Sequence, residues 1–239
     1  MELQGECDMS GQSSIKAEII GAARRLGADL VGITSSDRFG HAPAGHKPTD
    51  IMANAQSVIV LALRCLNGPM KHHHWTSYTV VHEGNDIRLN NMAYSLSCFM
   101  EEKYGAHAIP LAPNSPYYDW DEDHQYAAGD LSHKHAAVAA GLGVIGKNSL
   151  LITPRYGNKV SLVSIITDIV LEPDALIGQE LCPSTCRLCI DACPQQAING
   201  DNTISQTKCR SYCWTKLPRG FSVLHCWACR EVCPASNAT

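Results

Sequence analysis

CPSTCRLCIDACP (182–194) and CWACREVCP (226–234) decide how this chain reads, because each closes a tight run of cysteines with a Cys-Pro pair. Cys209 and Cys213 stand between them, while Cys7, Cys65 and Cys98 are scattered through the rest and read as ordinary thiols. A chain of 239 residues, 45% hydrophobic and 18% charged, has ordinary globular composition and buries a core without covalent staples. The opening stretch MELQGECDMSGQSS has neither a basic n-region nor an apolar h-region, so a cytoplasmic location is expected. Thiols stay reduced there, and metal ligation explains the array better than disulfides do.

The spacing Cys182-x3-Cys186-x2-Cys189-x3-Cys193-Pro194, then Cys209, then Cys226-x2-Cys229-x3-Cys233-Pro234 maps onto bacterial two-cluster ferredoxins. In those, the fourth cysteine of each run ligates the other cluster. One 4Fe-4S cluster is then expected on Cys182, Cys186, Cys189 and Cys233, and a second on Cys209, Cys226, Cys229 and Cys193. Anionic sulfur suits iron in a sulfide cube, and proline turns the chain out of each loop. Two structural zinc sites are the competing reading. The first spacer is x3 where the usual run has x2. Cys213 has no ligand slot and reads as a small thiol, although the choice between Cys209 and Cys213 stays open, with Cys209 favoured.

Outward from this tail, the body alternates helical and strand patterns. SIKAEIIGAARRL (14–26) has apolar residues near helical spacing, with Gly27 as a C-cap. ADLVGIT (28–34) reads as a strand. SVIVLALRC (57–65) is apolar throughout, as a central strand covered on both faces would be. Residues 71–86 read as a polar, aromatic connection in which His72–His74 is a surface run. IRLNNMAYSLSCFMEEKY (87–104) carries Leu89, Met92, Leu96, Phe99 and Met100 on one helical stripe closed by Gly105. AHAIPLAP (106–113) reads as a strand, residues 114–130 as a long loop, and Ser132 as the cap of a helix over 133–140. Two strands follow, 149–153 and 160–170, joined as a hairpin by a turn at 154–158. These elements predict an α/β (α+β) body over 1–175 and a small cysteine module over 176–239.

The formal net charge of -4 provides no basic footprint for a dedicated nucleic-acid binder. The last stretch differs: from Cys182 onward, Arg187, Lys208, Arg210, Lys216, Arg219 and Arg230 outnumber Asp191, Asp201 and Glu231. No apolar run approaches the ~20 residues of a membrane span.

GLGVIGKNSLLI (141–152), the strands after it and the two-cluster tail together resemble the family of tRNA epoxyqueuosine reductases and reductive dehalogenases, cobalamin-dependent iron–sulfur reductases. The similarity runs from the opening helix to Pro234. It implies a nitroreductase-like body holding base-off cobalamin against a ferredoxin-like tail, fed by an electron donor of ferredoxin or flavodoxin type. Gly141, Gly143 and Gly146 then allow close approach of a large flat ligand, and Lys147, Asn148 and Ser149 add donors. A plain helix C-cap explains the same glycines. Flavin is the alternative cofactor, since nitroreductase-like folds commonly hold it, and an electron carrier or activator without corrinoid is the alternative function.

Members acting on tRNA carry an acidic proton donor in an Asp-Ser-Ala-Pro segment before GLG. Here residues 129–135 read GDLSHKH, with Asp130 in that neighbourhood. The sequence also ends five residues after Pro234, short of their helical-repeat extension, so a small organic substrate is expected and tRNA disfavoured. Asp130, His133 and His135 are the candidate catalytic groups, the imidazoles because a proton donor works best with a pKa near working pH. Tyr78, Trp75 and the aromatics of 117–126 are weaker candidates for stacking on a ring.

Overall fold

The computed structural model describes residues 9–236; Cys7 lies outside the described residues. The chain runs α1 (Met9–Arg25), β1 (Leu30–Ser35), α2 (Pro48–Ile51), β2 (Ser57–Arg64), α3 (Asn67–Lys71), α4 (Trp75–Tyr104), β3 (Ala108–Pro110), β4 (Asp119–Asp121), β5 (Tyr126–Ala128), α5 (His133–Ala139), β6 (Val144–Ile145), β7 (Leu151–Ile152) and β8 (Val160–Thr167). The cysteine tail adds α6 (Leu188–Asp191), α7 (Gln206–Cys213), β9 (Trp214–Lys216), β10 (Ser222–Leu224) and α8 (Ala228–Glu231).

β1, β2, β8 and β3 lie side by side in that order, each pair antiparallel, with Ile59 opposite Ile33 on one side and Ile165 on the other. Side chains of a strand alternate between faces. Ile59, Leu61 and Leu63 of β2 join Val163 and Ile165 in a core closed by Ile19 and Ala23 of α1 and Leu89, Leu96 and Met100 of α4. Val58, Val60 and Ala62 join Ile166 on the opposite face, under Ala136, Ala137 and Ala140 at α5. Both faces are therefore covered, which is why β2 lacks the polar alternation of a half-exposed strand. The result is a mixed helix and strand body of the expected class, with its antiparallel sheet sandwiched between helices. Among the described residues no helix is long and apolar enough to cross a membrane.

Three departures from the sequence reading have physical causes. α4 begins at Trp75, three turns before the expected start at Ile87. His74 caps it by accepting from Ser77 N at 3.3 Å. The added turns are weak helix formers held by tertiary contacts: Tyr78 packs on Trp227 at 4.9 Å between ring centroids, and Thr79 Oγ1 accepts from Leu224 N at 2.9 Å. Residues 114–130 contain the two-stranded β4–β5 hairpin where a loop was expected. Finally, β7 does not pair with β8. It pairs with β6, because both edges of β8 are taken by β2 and β3. The turn at 154–157 remains, closed by Thr153 and Gly157.

One anchor holds the chain just before the tail begins, and a second holds the tail's far end. Asp174 accepts from Ile33 N at 2.8 Å and pairs with Lys16 at 2.6 Å. At the far end, Ser236 Oγ accepts from Asn158 N at 3.0 Å and donates to Asn158 Oδ1 at 2.6 Å.

The glycines after α5 exist to let the chain approach itself. Gly141 has φ +67°, and a Cβ there would strike Ala175 O; one at Gly143 would strike Ile152 O. We expect Gly143→Ala to cost about 2–3 kcal/mol through overpacking, seen as a Tm about 4–12 °C lower in a chain of this size. Gly40→Ala, with no atom within 4 Å of the added methyl, should leave Tm unchanged.

Candidate metal centre and adjoining cavities

Each cysteine run wraps a single-turn helix. Cys182 and Cys186 lie on the loop entering α6, Cys189 on α6 and Cys193 just beyond; Cys226 precedes α8, Cys229 is on it and Cys233 follows. α6 and α8 pack against each other. Burial pushes the Cys189 thiol pKa up, and the neighbouring thiols of Cys182, Cys186 and Cys233 push it further. Burial likewise raises Cys226, which faces Cys209 and Cys193, and raises Cys229 to about 12, beside Cys209, Cys226 and Cys189. Cys189 thus neighbours Cys182, Cys186 and Cys233, and Cys226 neighbours Cys209 and Cys193, while Cys229 lies beside members of both groups and Cys213 adjoins Cys209 and Cys226. Buried thiols with raised pKa stay neutral until a metal displaces their protons, and a set of soft sulfur donors fits an iron–sulfur cluster. Among the described residues no three His, Cys, Asp or Glu side chains form a ready-made site for a single ion. Cys193 Sγ also accepts from Ala197 N at 3.3 Å.

The Gly-Lys-Asn-Ser segment braces this centre. Lys147 Nζ donates to Ser184 O and, at 2.7 Å, to Cys186 O, while Asn148 Nδ2 donates to Cys229 O at 3.3 Å. Ser149, at φ +58°, receives the Lys134 ammonium on its carbonyl at 2.7 Å and its hydroxyl at 2.9 Å. Gly141, Gly143, Gly146, Lys147, Asn148 and Ser149 therefore spend their freedom and donors on the protein itself, and none lines either cavity described next. From the other side, the Arg230 guanidinium beside Cys229 donates to Asn158 O and bonds Tyr78.

Two cavities meet at Leu131 and Ser132. The first, about 460 Å³, is walled by Phe39, Leu131, Val138 and Leu176, with Arg38, His41, His46 and His135 among its polar groups. The second, about 370 Å³, brings Ser132, His133, Lys134 and Arg210 together with Cys209. Arg210 lies over the rings of Tyr117 at 5.2 Å and Trp120 at 5.7 Å, which are stacked on each other. Gln206 grips Ala127 by two hydrogen bonds, so α7 holds the β4–β5 hairpin from the tail side.

The three catalytic candidates part company here. His133 donates from Nε2 to Ala112 O at 2.8 Å and accepts at Nδ1 from Ser164 Oγ at 2.9 Å, so it ties α5 to the sheet. His135 lines the first cavity, its Nδ1 2.7 Å from Ser132 Oγ. Asp130 holds His46 through its carbonyl at 3.2 Å. Burial lowers the pKa of His133, His135 and Lys134, with the Lys134 charge adding to the shift at His135. Arg210 and His46 were not legible as site residues, because their partners, Tyr117 and the carbonyls of Gly129 and Asp130, lie far away in the chain.

The sign of the His133 shift is testable. Its folded pKa lies below 6.5, so the unfolded chain binds a proton that the folded chain resists, and stability falls as pH drops below about 6.5. The Tm difference between pH 7.5 and 5.5 should be smaller in His133→Gln than in the native chain.

No family model matches the chain. It is 42% identical over 115 residues to an epoxyqueuosine reductase of Listeria monocytogenes, an alignment covering 44% of this chain and 30% of that enzyme. Alignments with other curated epoxyqueuosine reductases extend to 93% of this chain at 24% identity, and the chain spans from about a third to about two thirds of the length of these relatives. Among solved structures, an epoxyqueuosine reductase bound to a tRNA-Tyr epoxyqueuosine-modified stem loop superposes with a TM-score of 0.65 at 23% identity, covering 95% of this chain and 66% of that one. A reductive dehalogenase described in terms of B12-dependent dehalogenation superposes with a TM-score of 0.65 at 21% identity, covering 89% and 30%.

Proposed function

We propose, from its similarity to epoxyqueuosine reductases and to the fold of reductive dehalogenases, that the chain is an iron–sulfur oxidoreductase built as a cofactor- and substrate-binding body over 1–175 and a two-cluster module over 176–239. The observation that carries this reading is the second cavity, where the Cys209 thiol shares one wall with Ser132, His133 and Lys134. Two 4Fe-4S clusters held by Cys182, Cys186, Cys189 and Cys233 and by Cys193, Cys209, Cys226 and Cys229 would supply single electrons from a ferredoxin- or flavodoxin-type donor. A corrinoid at the cavities beside Leu131 and Ser132 would supply a strongly reducing metal centre for cleaving a C–O or C–halogen bond. The apolar walls and the imidazole, ammonium and guanidinium groups around them suit a large amide-bearing ring better than the braced segment at 141–149 does.

The chain's own groups handle protons and exclude water. Burial lowers the pKa of Lys134, so its ammonium gives up a proton more readily than an exposed lysine does, and it lowers that of His135, which favours the neutral imidazole as a proton acceptor. Phe39, Leu131 and Val138 keep the first cavity apolar, and the Tyr117–Trp120 pair over Arg210 covers the second. The substrate is a small organic molecule; a tRNA substrate, as in the stem-loop complex of the structural neighbour, is the competing choice.

The test is a titration of anaerobically reconstituted protein with cobalamin. A base-off visible spectrum at stoichiometric binding supports the reductase. Clusters without corrinoid binding favour an electron carrier, and a bound flavin favours a flavin-dependent reductase.

A further inference from the structure

α4 runs for 30 residues, and its solvent face is not the polar face of an ordinary surface helix. Val80, Ile87 and Tyr94 are exposed there by 67%, 62% and 66%, and their seven-residue spacing sets them on one line along the helix. Gly84, Asn91 and Cys98, at the same spacing, lie beside them one turn on. This is a heptad pattern on the side opposite Leu89, Leu96 and Met100, which seat α4 on the sheet. An added methyl at Gly84 would have no atom within 4 Å, so nothing in its own chain requires a glycine that weakens the helix there. Glu83 and Arg88 flank the stripe on its two edges, both exposed and, among the described residues, without an ion pair. No residue of the stripe lines either cavity.

We propose that this stripe docks a second copy of the chain, α4 against α4 in parallel about a two-fold axis. Charge selects both the occupant and the direction. In a parallel helix pair, a residue on one edge meets the residue five positions further on along the facing helix. Glu83 of one copy then reaches Arg88 of the other, and symmetry makes the contact twice. An antiparallel pair that seats Tyr94 over Gly84 instead sets Arg88 against Arg88 of the second copy, which repel. At the centre Ile87 meets Ile87 and Tyr94 meets Tyr94. Gly84 lets the two backbones close, and Asn91 bonds to Asn91 of the second copy, a polar pair that fixes a two-stranded register. The stripe from Val80 to Cys98 is about 27 Å long. A contact of that length is at the small end of stable interfaces, so a dissociation constant of about 1–10 μM is expected.

Sedimentation velocity of the full chain between about 0.5 and 100 μM tests this. The native chain should pass from monomer to dimer across that range. Ile87→Glu should weaken association by more than about 30-fold. Circular dichroism and the electron paramagnetic resonance (EPR) spectrum of the reduced protein, unchanged in that variant, report an intact fold. Glu83→Arg and Arg88→Glu should each weaken association about tenfold, because each sets like charges together, while an equimolar mixture of the two variants should associate as the native chain does. A native chain that stays monomeric throughout, a dimer that survives Ile87→Glu, or a mixture that associates no better than its components would each overturn the proposal. The stripe lies in the body, so the result stands whether or not the tail takes up iron.

Discussion

Cys193→Ala should lose about four of eight irons, and the lost cluster should be the one formed with the second run rather than the run in which Cys193 sits. In sequence, Cys193 ends CRLCIDAC, only four residues after Cys189. In the fold it is Cys226 that faces Cys193, whereas Cys189 faces Cys182, Cys186 and the distant Cys233. The packing of α6 on α8 brings the two runs together, and a one-turn helix followed by Cys-Pro would send the last thiol of each toward the opposite half. Cys233→Ala should give the mirror result. The check is iron and sulfide content with the EPR spectrum of the reduced protein; loss of the Cys182–Cys186–Cys189 cluster in Cys193→Ala would refute the crossing.

Arg230→Ala should lower Tm by about 2–12 °C and make the second cluster harder to reduce. Its guanidinium, inserted from the tail into the body, donates to Asn158 O, bonds Tyr78 and lies beside Cys229. Truncation leaves buried polar groups without partners, at about 1–3 kcal/mol, and removes the packing of its stem. At about 2–4 °C per kcal/mol for this chain length, the shift follows. A buried positive charge stabilises the more negative, reduced form of a cluster, so its removal lowers the midpoint potential. Arg230→Lys separates the two effects: it keeps the charge and should hold the potential near native while still losing Tm. Differential scanning calorimetry and an EPR-monitored redox titration measure them. An unchanged Tm in Arg230→Ala would mean that Arg230 does not join tail to body.

What could be read from the residues was whatever depends on local spacing. The cysteine runs announce their chemistry because a cluster loop must return thiols at short intervals, and β2 announces its place because two covered faces leave no polar alternation. The first turns of α4 were hidden because Tyr78 and Thr79 are held by Trp227 and Leu224, well over a hundred residues away. The contacts of the GLG segment were hidden as well. Its glycines do serve close approach, but of Ala175 and Ile152, and its lysine and asparagine hold the carbonyls of Cys186 and Cys229. Similarly, SHKH reads as four polar residues in a row. Only the fold turns His133 to the sheet, Lys134 to Ser149 and His135 to the first cavity.

The most direct test of the account is the metal content and reduced-state EPR spectrum of the full chain reconstituted anaerobically with iron and sulfide. Two interacting 4Fe-4S clusters, about eight irons and eight sulfides per chain, are the predicted result. Zinc at about two ions per chain with no sulfide, and no EPR signal on reduction, would contradict it.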